Sequence, residues 1–285
     1  MAITAQQVND LRKKTGAGMM DCKNALTEAN GDFEKAIEIL RKKGAAVAAK
    51  RAEKSANEGL IVTKISSDRK QGSIAEINCE TDFVAKSEDF VTLTNNVIDA
   101  VFNNQPSSVE ELYDKNPDIK AKVTEVVGKV GEKIEISRVA NEKVENGILV
   151  DYIHMGSKLG VLVKFENIDD SSGELYNIGK DIAMQVAAMS PISVYREDIP
   201  KATVEKEIEI YKEIARKEGK PEQILEKIAN GKLNKFYQEN CLVEQTFIKD
   251  NSKTVGDLIK EFNTAHNSAA KITLFYRYHL GDENK

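Results

Sequence analysis

The sequence predicts an α+β protein: a three-helix unit at the N-terminus, then two related α+β units, the second carrying an antiparallel helical hairpin. Three observations predict it. Apolar residues across 4–43 recur at helical intervals in three short runs. The run Glu58-Gly59-Leu60-Ile61-Val62 returns as Asn146-Gly147-Ile148-Leu149-Val150, and each copy leads through a polar gap to a second strand and an amphipathic helix. Between about 197 and 240, two helical runs flank the break Gly219-Lys220-Pro221. The expected units are 1–54, 55–143 and 144–285.

The first helix opens on Thr4-Ala5-Gln6-Gln7, a capping-box pattern in which each end side chain satisfies a backbone N–H of the other. Val8 and Leu11 give it a buried face, and Thr15-Gly16-Ala17-Gly18 breaks the period. Cys22, Ala25 and Leu26 line the second helix, Asn30-Gly31-Asp32 closes it, and Phe33, Ile37 and Leu40 continue the core. Met19-Met20, just after the glycines, is either core or an adaptable surface, since thioethers suit both. From Gly44 to Asn57 the alanine-rich run favours helix but offers little apolar face, so it is expected to be a connector with Lys50, Arg51 and Lys54 solvated.

In the first copy, Ser73–Cys79 is expected as a strand; downstream, Val84, Phe90, Val91, Leu93, Val97 and Val101 recur at helical intervals, and an amphipathic helix is expected over roughly 87–103. Between them lies Asn78-Cys79-Glu80-Thr81-Asp82-Phe83-Val84-Ala85, a strand-to-helix turn of the kind that holds side chains out from a rigid scaffold. Taken singly, Asp82 is a helix cap and Phe83 a core residue. In the second copy the strand Gly160–Glu166 leads to a polar tip, Asn167-Ile168-Asp169-Asp170-Ser171-Ser172, that lacks the aromatic. The helix 174–189 follows, and His154 lies on a strand-to-strand turn with Met155-Gly156-Ser157. Val204, Ile208, Tyr211 and Ala215 line one arm of the hairpin, and Ile224, Leu225 and Ile228 the other. Val243–Ile248, a helix Val255–Phe262 and an alternating run Lys271–Leu280 return the chain to a sheet edge.

Composition narrows the function classes. A net charge of −5 argues against nucleic acid as the main partner, because phosphate neutralisation favours a basic face. Residues 1–54 nonetheless carry 11 Lys/Arg against 7 Asp/Glu, a balance of +4. Cys22, Cys79 and Cys241 are too scattered for a clamp or a redox pair, and reduced, cytoplasmic thiols are expected. The N-terminus lacks a signal-peptide layout, and no apolar run approaches the roughly 18 residues of a membrane span. Gly173, Gly179-Lys180 and Asp181 have the wrong spacing and the wrong final residue for a phosphate loop. Three scattered histidines exclude an obvious zinc site. Asp82 has no converging acid–base partner in the local sequence, so no enzyme activity, metal or cofactor is expected.

Cys79 to Ala85 resembles a signature of the elongation factor Ts family, and Leu11-Arg12-Lys13-Lys14-Thr15-Gly16-Ala17-Gly18-Met19-Met20-Asp21-Cys22-Lys23-Asn24-Ala25-Leu26 is similar to its N-terminal signature. The resemblance implies a guanine-nucleotide exchange factor for elongation factor Tu. The N-terminal unit, itself similar to ubiquitin-associated domains, would dock through Arg12, Met19, Met20 and Lys23. Thr81-Asp82-Phe83-Val84 would wedge beside the magnesium and nucleotide site of the partner. His154 is carried over as a further contact, although Met155 departs from the commoner pattern of that turn. The hairpin is expected to touch the partner at a distance or to join two copies of the chain as a homodimer. The sequence ends at Lys285, so the contact made by the terminal helical module of some members is not expected. Two other readings remain: an adaptor whose three-helix unit binds another protein, and an enzyme using Asp82.

Overall fold

The computed structural model describes residues 3–168 and 173–282. Asp169–Ser172, most of the expected second tip, lie outside them. The architecture is mixed helix and antiparallel sheet.

Helices α1 (Ala5–Thr15), α2 (Met19–Glu28) and α3 (Phe33–Arg51) form the N-terminal unit. The capping box is present: Gln7 N donates to Thr4 Oγ1 at 3.2 Å and Thr4 N to Gln7 Oε1 at 2.9 Å. Gly16 ends α1 in the left-handed region at φ 68°, where a side chain would be strained. Asp32 caps α3 by accepting from the N–H groups of Glu34 and Lys35. Leu11, Cys22, Ala25, Leu26 and Ala36 make a small core under Phe33, Ile37 and Leu40.

The expected connector is a correction. Helix α3 runs unbroken to Arg51 and crosses α7 (Pro117–Val130), with Gly44 buried at the crossing. A Cβ on Gly44 would sit 2.9 Å from the Thr124 carbonyl oxygen, and one on Gly128 would sit 3.0 Å from Gly44 Cα. Val47 and Ala48 pack against the core of the first sheet layer. Burial here comes from backbone approach rather than from large side chains, which an apolar-face count cannot register. Arg51, expected to be solvated, pairs with Glu80 at 2.9 Å.

Strands β1 (Glu58–Ile65), β2 (Gln71–Cys79) and β3 (Ile134–Lys143) form an antiparallel sheet in that order. Between β2 and β3 come α4 (Asp82–Ala85), α5 (Glu88–Asn104), α6 (Val109–Lys115) and α7. Ala75, Ile77, Phe90, Leu93, Val97, Val101, Val126 and Val127 fill the space between sheet and helices. Val91, counted in the apolar series of α5, is exposed, and Ile98 is buried in its stead.

The second copy repeats this path. Strands β4 (Gly147–Ile153) and β5 (Leu159–Glu166) form a hairpin, and helix α8 (Glu174–Met189) covers it. Helices α9 (Lys201–Lys217) and α10 (Glu222–Asn240) project as the expected antiparallel pair. Short β6 (Thr246–Phe247) and β7 (Asp250–Thr254), then α11 (Val255–His266), precede β8 (Lys271–His279), which pairs with β5. The order β4-β5-β8 matches β1-β2-β3, with the last strand of each copy returning beside the middle one. The two sheets face each other through Ile61, Ile74, Leu149, Leu162, Tyr278 and Leu280. Each sheet therefore has helices on one face and the other sheet on its second face. This is why β2 is buried almost throughout rather than alternating.

The hairpin joins the body at a narrow root. Leu242 N donates to the Ser193 carbonyl at 2.9 Å, Ile192 N to the Asn240 carbonyl at 2.9 Å, and Arg196 Nη2 to Glu244 Oε2 at 2.6 Å. Its buried residues, Ala215, Leu225, Ala229 and Leu233, lie outside the clusters that form the two sheet cores. Replacing 201–239 with a short Gly/Ser linker is therefore expected to leave a single cooperative urea transition at an unchanged midpoint. Loss of cooperativity would show that the hairpin supports the body.

Candidate functional site

The turn after β2 is built from reciprocal hydrogen bonds. Thr81, with extended backbone, is the N-cap of α4, and its hydroxyl oxygen accepts from Val84 N at 3.4 Å. That hydroxyl donates to Glu132 Oε1 at 2.8 Å, and Thr81 N donates to Glu132 Oε2 at 3.0 Å. The preceding Glu80 accepts from Lys133 N at 2.6 Å as well as from Arg51. Val84 points inward, 9% exposed, and anchors the turn. Phe83 points the other way and is 81% exposed, which removes the core reading.

Asp82 is not the cap: it occupies the first helical position, and its carboxylate accepts from Lys86 Nζ at 2.7 Å, one turn on. The Lys86 hydrogen bond, then the charges of Lys86 and Lys158, hold this carboxyl below the usual carboxylate range. The local sequence thus does supply a lysine beside Asp82, but as an exposed ion pair rather than as an acid–base partner. Thr81→Ala is expected to cost about 1 kcal/mol through the lost cap. Asp82→Ala should leave the urea midpoint nearly unmoved, since exposed pairs contribute little. A loss confined to Asp82→Ala, with Thr81→Ala unmoved, would return the capping role to Asp82.

The turn between β4 and β5 approaches the same end of β1. Ile61 N donates to the Ser157 carbonyl at 2.7 Å, and Lys158 Nζ to Glu58 Oε2 at 2.6 Å. His154 is exposed, with Nδ1 at 2.8 Å from the Tyr152 hydroxyl, and Met155 beside it is 92% exposed. Sequence reasoning missed Glu58, Lys158 and Glu132. Their only signal was charge near strand ends, which becomes informative once the pairing of β1 with this turn is known.

In the N-terminal unit, Met19 and Met20 are 59% and 61% exposed, so they form surface at the start of α2. Lys23, one turn after Met19, and Arg12 on α1 are exposed as well. No group of side chains suited to holding a metal ion occurs among the described residues. Cys79 is buried, and burial pushes its thiol up to about 12; burial raises Cys241 too, so neither is a thiolate nucleophile at neutral pH. No helix among the described residues is long and apolar enough to cross a membrane. What the site offers is shape: an aromatic and a carboxylate on a braced turn, beside a polar turn carrying His154.

The family model described as elongation factor TS matches residues 80–282. Elongation factor Ts of Chloroherpeton thalassium is 44% identical over 288 residues, covering 99% of both chains. That of Clostridium botulinum is 46% identical over 286 residues, covering 98% of this chain and 93% of its own. That of Prosthecochloris aestuarii is 46% identical over 286 residues, covering 98% and 99% respectively. With the turn's residues in place and similarity running nearly end to end, the chain belongs to the elongation factor Ts family of translation elongation proteins.

Proposed function

We propose that this chain is a guanine-nucleotide exchange factor that binds elongation factor Tu carrying GDP and promotes GDP release, so that GTP can load. The observation that carries this reading is Phe83, a large aromatic held 81% exposed on a turn whose backbone is pinned on both sides. Ordering an apolar side chain in water is unfavourable unless a partner later covers it. In this reading Thr81, Asp82, Phe83 and Val84 form the wedge, with Val84 as its inner anchor. Arg12, Met19, Met20 and Lys23 dock the N-terminal unit, and His154 makes a further contact.

The mechanism is coupling between two binding sites. GDP is held through its phosphates and a Mg²⁺ whose octahedral shell tolerates little displacement. A wedge that shifts an element beside that shell weakens the grip. Reciprocity then requires that GDP weaken the grip of the partner on the wedge by the same factor, so incoming nucleotide that engages the same phosphate site expels the factor. Only binding energy is exchanged, with no covalent step and no cofactor on this chain. The work is assigned to the cytoplasm, without direct nucleic-acid contact.

The division into 1–54, 55–143 and 144–285 is supported by an apolar cluster in the three-helix unit and one under each sheet, with Val47 and Ala48 crossing into the first sheet's core and a fourth cluster joining the two sheets. Exposed Ile210, Ile214 and Ile224 support the hairpin as a contact surface, for the partner or for a second copy. The deciding experiment is release of labelled GDP from purified elongation factor Tu with and without this protein. Acceleration is expected, and release at the spontaneous rate would overturn the reading.

A further inference from the structure

We propose that Glu132, in the loop between α7 and β3, is a positioning residue that sets the direction in which the Asp82-Phe83 tip points. The proposal rests on the exchange reading and deepens it. Glu132 touches neither Asp82 nor Phe83; it acts through Thr81, gripping that residue with both carboxylate oxygens at 2.8 and 3.0 Å. A carboxylate only accepts, so the Thr81 hydroxyl must spend its proton on Glu132. Its lone pairs are then turned toward the first turn of α4, where Val84 N donates to it. One contact thereby fixes both the residue preceding the tip and the cap of the helix that carries it.

The grip is reciprocal. Glu80, on the tip side, accepts from Lys133 N, while Glu132, on the loop side, accepts from Thr81 N. Two carboxylates cross between adjacent turns, each holding a backbone N–H of the other. Arg51 at the end of α3 closes on Glu80, so the N-terminal unit is tied to the same latch. A four-residue helix has too few hydrogen bonds of its own to keep a direction, which makes an external brace necessary. Charge-assisted bonds to two donors on one residue supply it.

The test measures labelled GDP release from elongation factor Tu across a range of factor concentrations. Glu132→Ala removes both bonds to Thr81 and is expected to lower the maximal release rate at least about tenfold, the scale of a single charge-assisted hydrogen bond. The half-saturating concentration should stay at the wild-type value, because the docking surfaces are untouched. Glu132→Gln, whose one carbonyl oxygen can keep one of the two bonds, should recover part of the rate. In a Phe83→Ala background, Glu132→Ala should add much less than its wild-type fold-loss, since only Asp82 is left to aim. Wild-type release by Glu132→Ala, or the same fold-loss in both backgrounds, would overturn the proposal. If Glu132→Ala fails to fold, Glu132→Asp, which draws the carboxylate back by one methylene and leaves Thr81 and its cap in place, is measured in the same way, and the same two outcomes decide. A wild-type protein that does not accelerate release would instead overturn the exchange reading, and this proposal with it.

Discussion

Phe83→Ala is expected to slow stimulated GDP release about 30-fold while leaving the melting temperature where it was, the behaviour of an interface anchor worth ~2 kcal/mol. The ring is 81% exposed, so its loss opens no cavity. A buried phenylalanine would behave oppositely: truncating Phe90, which is fully buried under the first sheet, should cost about 3–5 kcal/mol of stability. Thermal unfolding and GDP release on one preparation separate the cases. A Phe83→Ala protein that melts far earlier, yet whose folded fraction exchanges GDP normally, would make the ring a packing residue.

Arg138→Leu should cost about 3–5 kcal/mol of stability, because it strands a buried carboxylate. Glu76 is buried on β2, where its carboxylate accepts from Arg138 Nε at 2.7 Å and from Asn78 Nδ2 at 3.1 Å. The guanidinium lies 4.1 Å from the centre of the Tyr278 ring and donates to the His279 carbonyl at 3.2 Å, so it also joins β3 to β8. Removing the cation therefore leaves Glu76 uncompensated and unpicks the contact between the two sheets. Replacing Glu76 by Leu as well should recover much of the loss, since a buried ion pair is worth little more than apolar residues of its size. Urea midpoints of the two variants decide. An unchanged midpoint for Arg138→Leu would mean that Glu76 finds water or another donor at no cost.

Much of the fold was legible residue by residue because it rests on neighbours in the chain. Thr4 and Gln7 announce α1, Asp32 announces α3, and the break at Gly219-Lys220-Pro221 separates α9 from α10. The repeat of Glu58–Val62 at Asn146–Val150 correctly implied two sheets with equivalent opening hairpins. Helices α6 and α7 and strand β3 left no such mark, because the returning strand of each copy is joined to the opening strands by segments of different length. The turn at 80–83 was visible as the place where alternation gives way to helix. Its chemistry was not. Asp82 and Thr81 are both good caps by type, and only Glu132, far along the chain, settles which one takes the position by fixing the Thr81 hydroxyl.

What the sequence by itself determined, then, is the succession of helices, strands and turns and the residue types at the exposed tip, since caps and periodicity act over three or four residues. Tertiary structure decided that Phe83 faces water and Val84 does not, that Lys158 meets Glu58, and that Gly44 seats α3 on Gly128 of α7. Those outcomes depend on which distant backbone arrives alongside, and a glycine or a lone charge carries no periodic signal of its eventual neighbour.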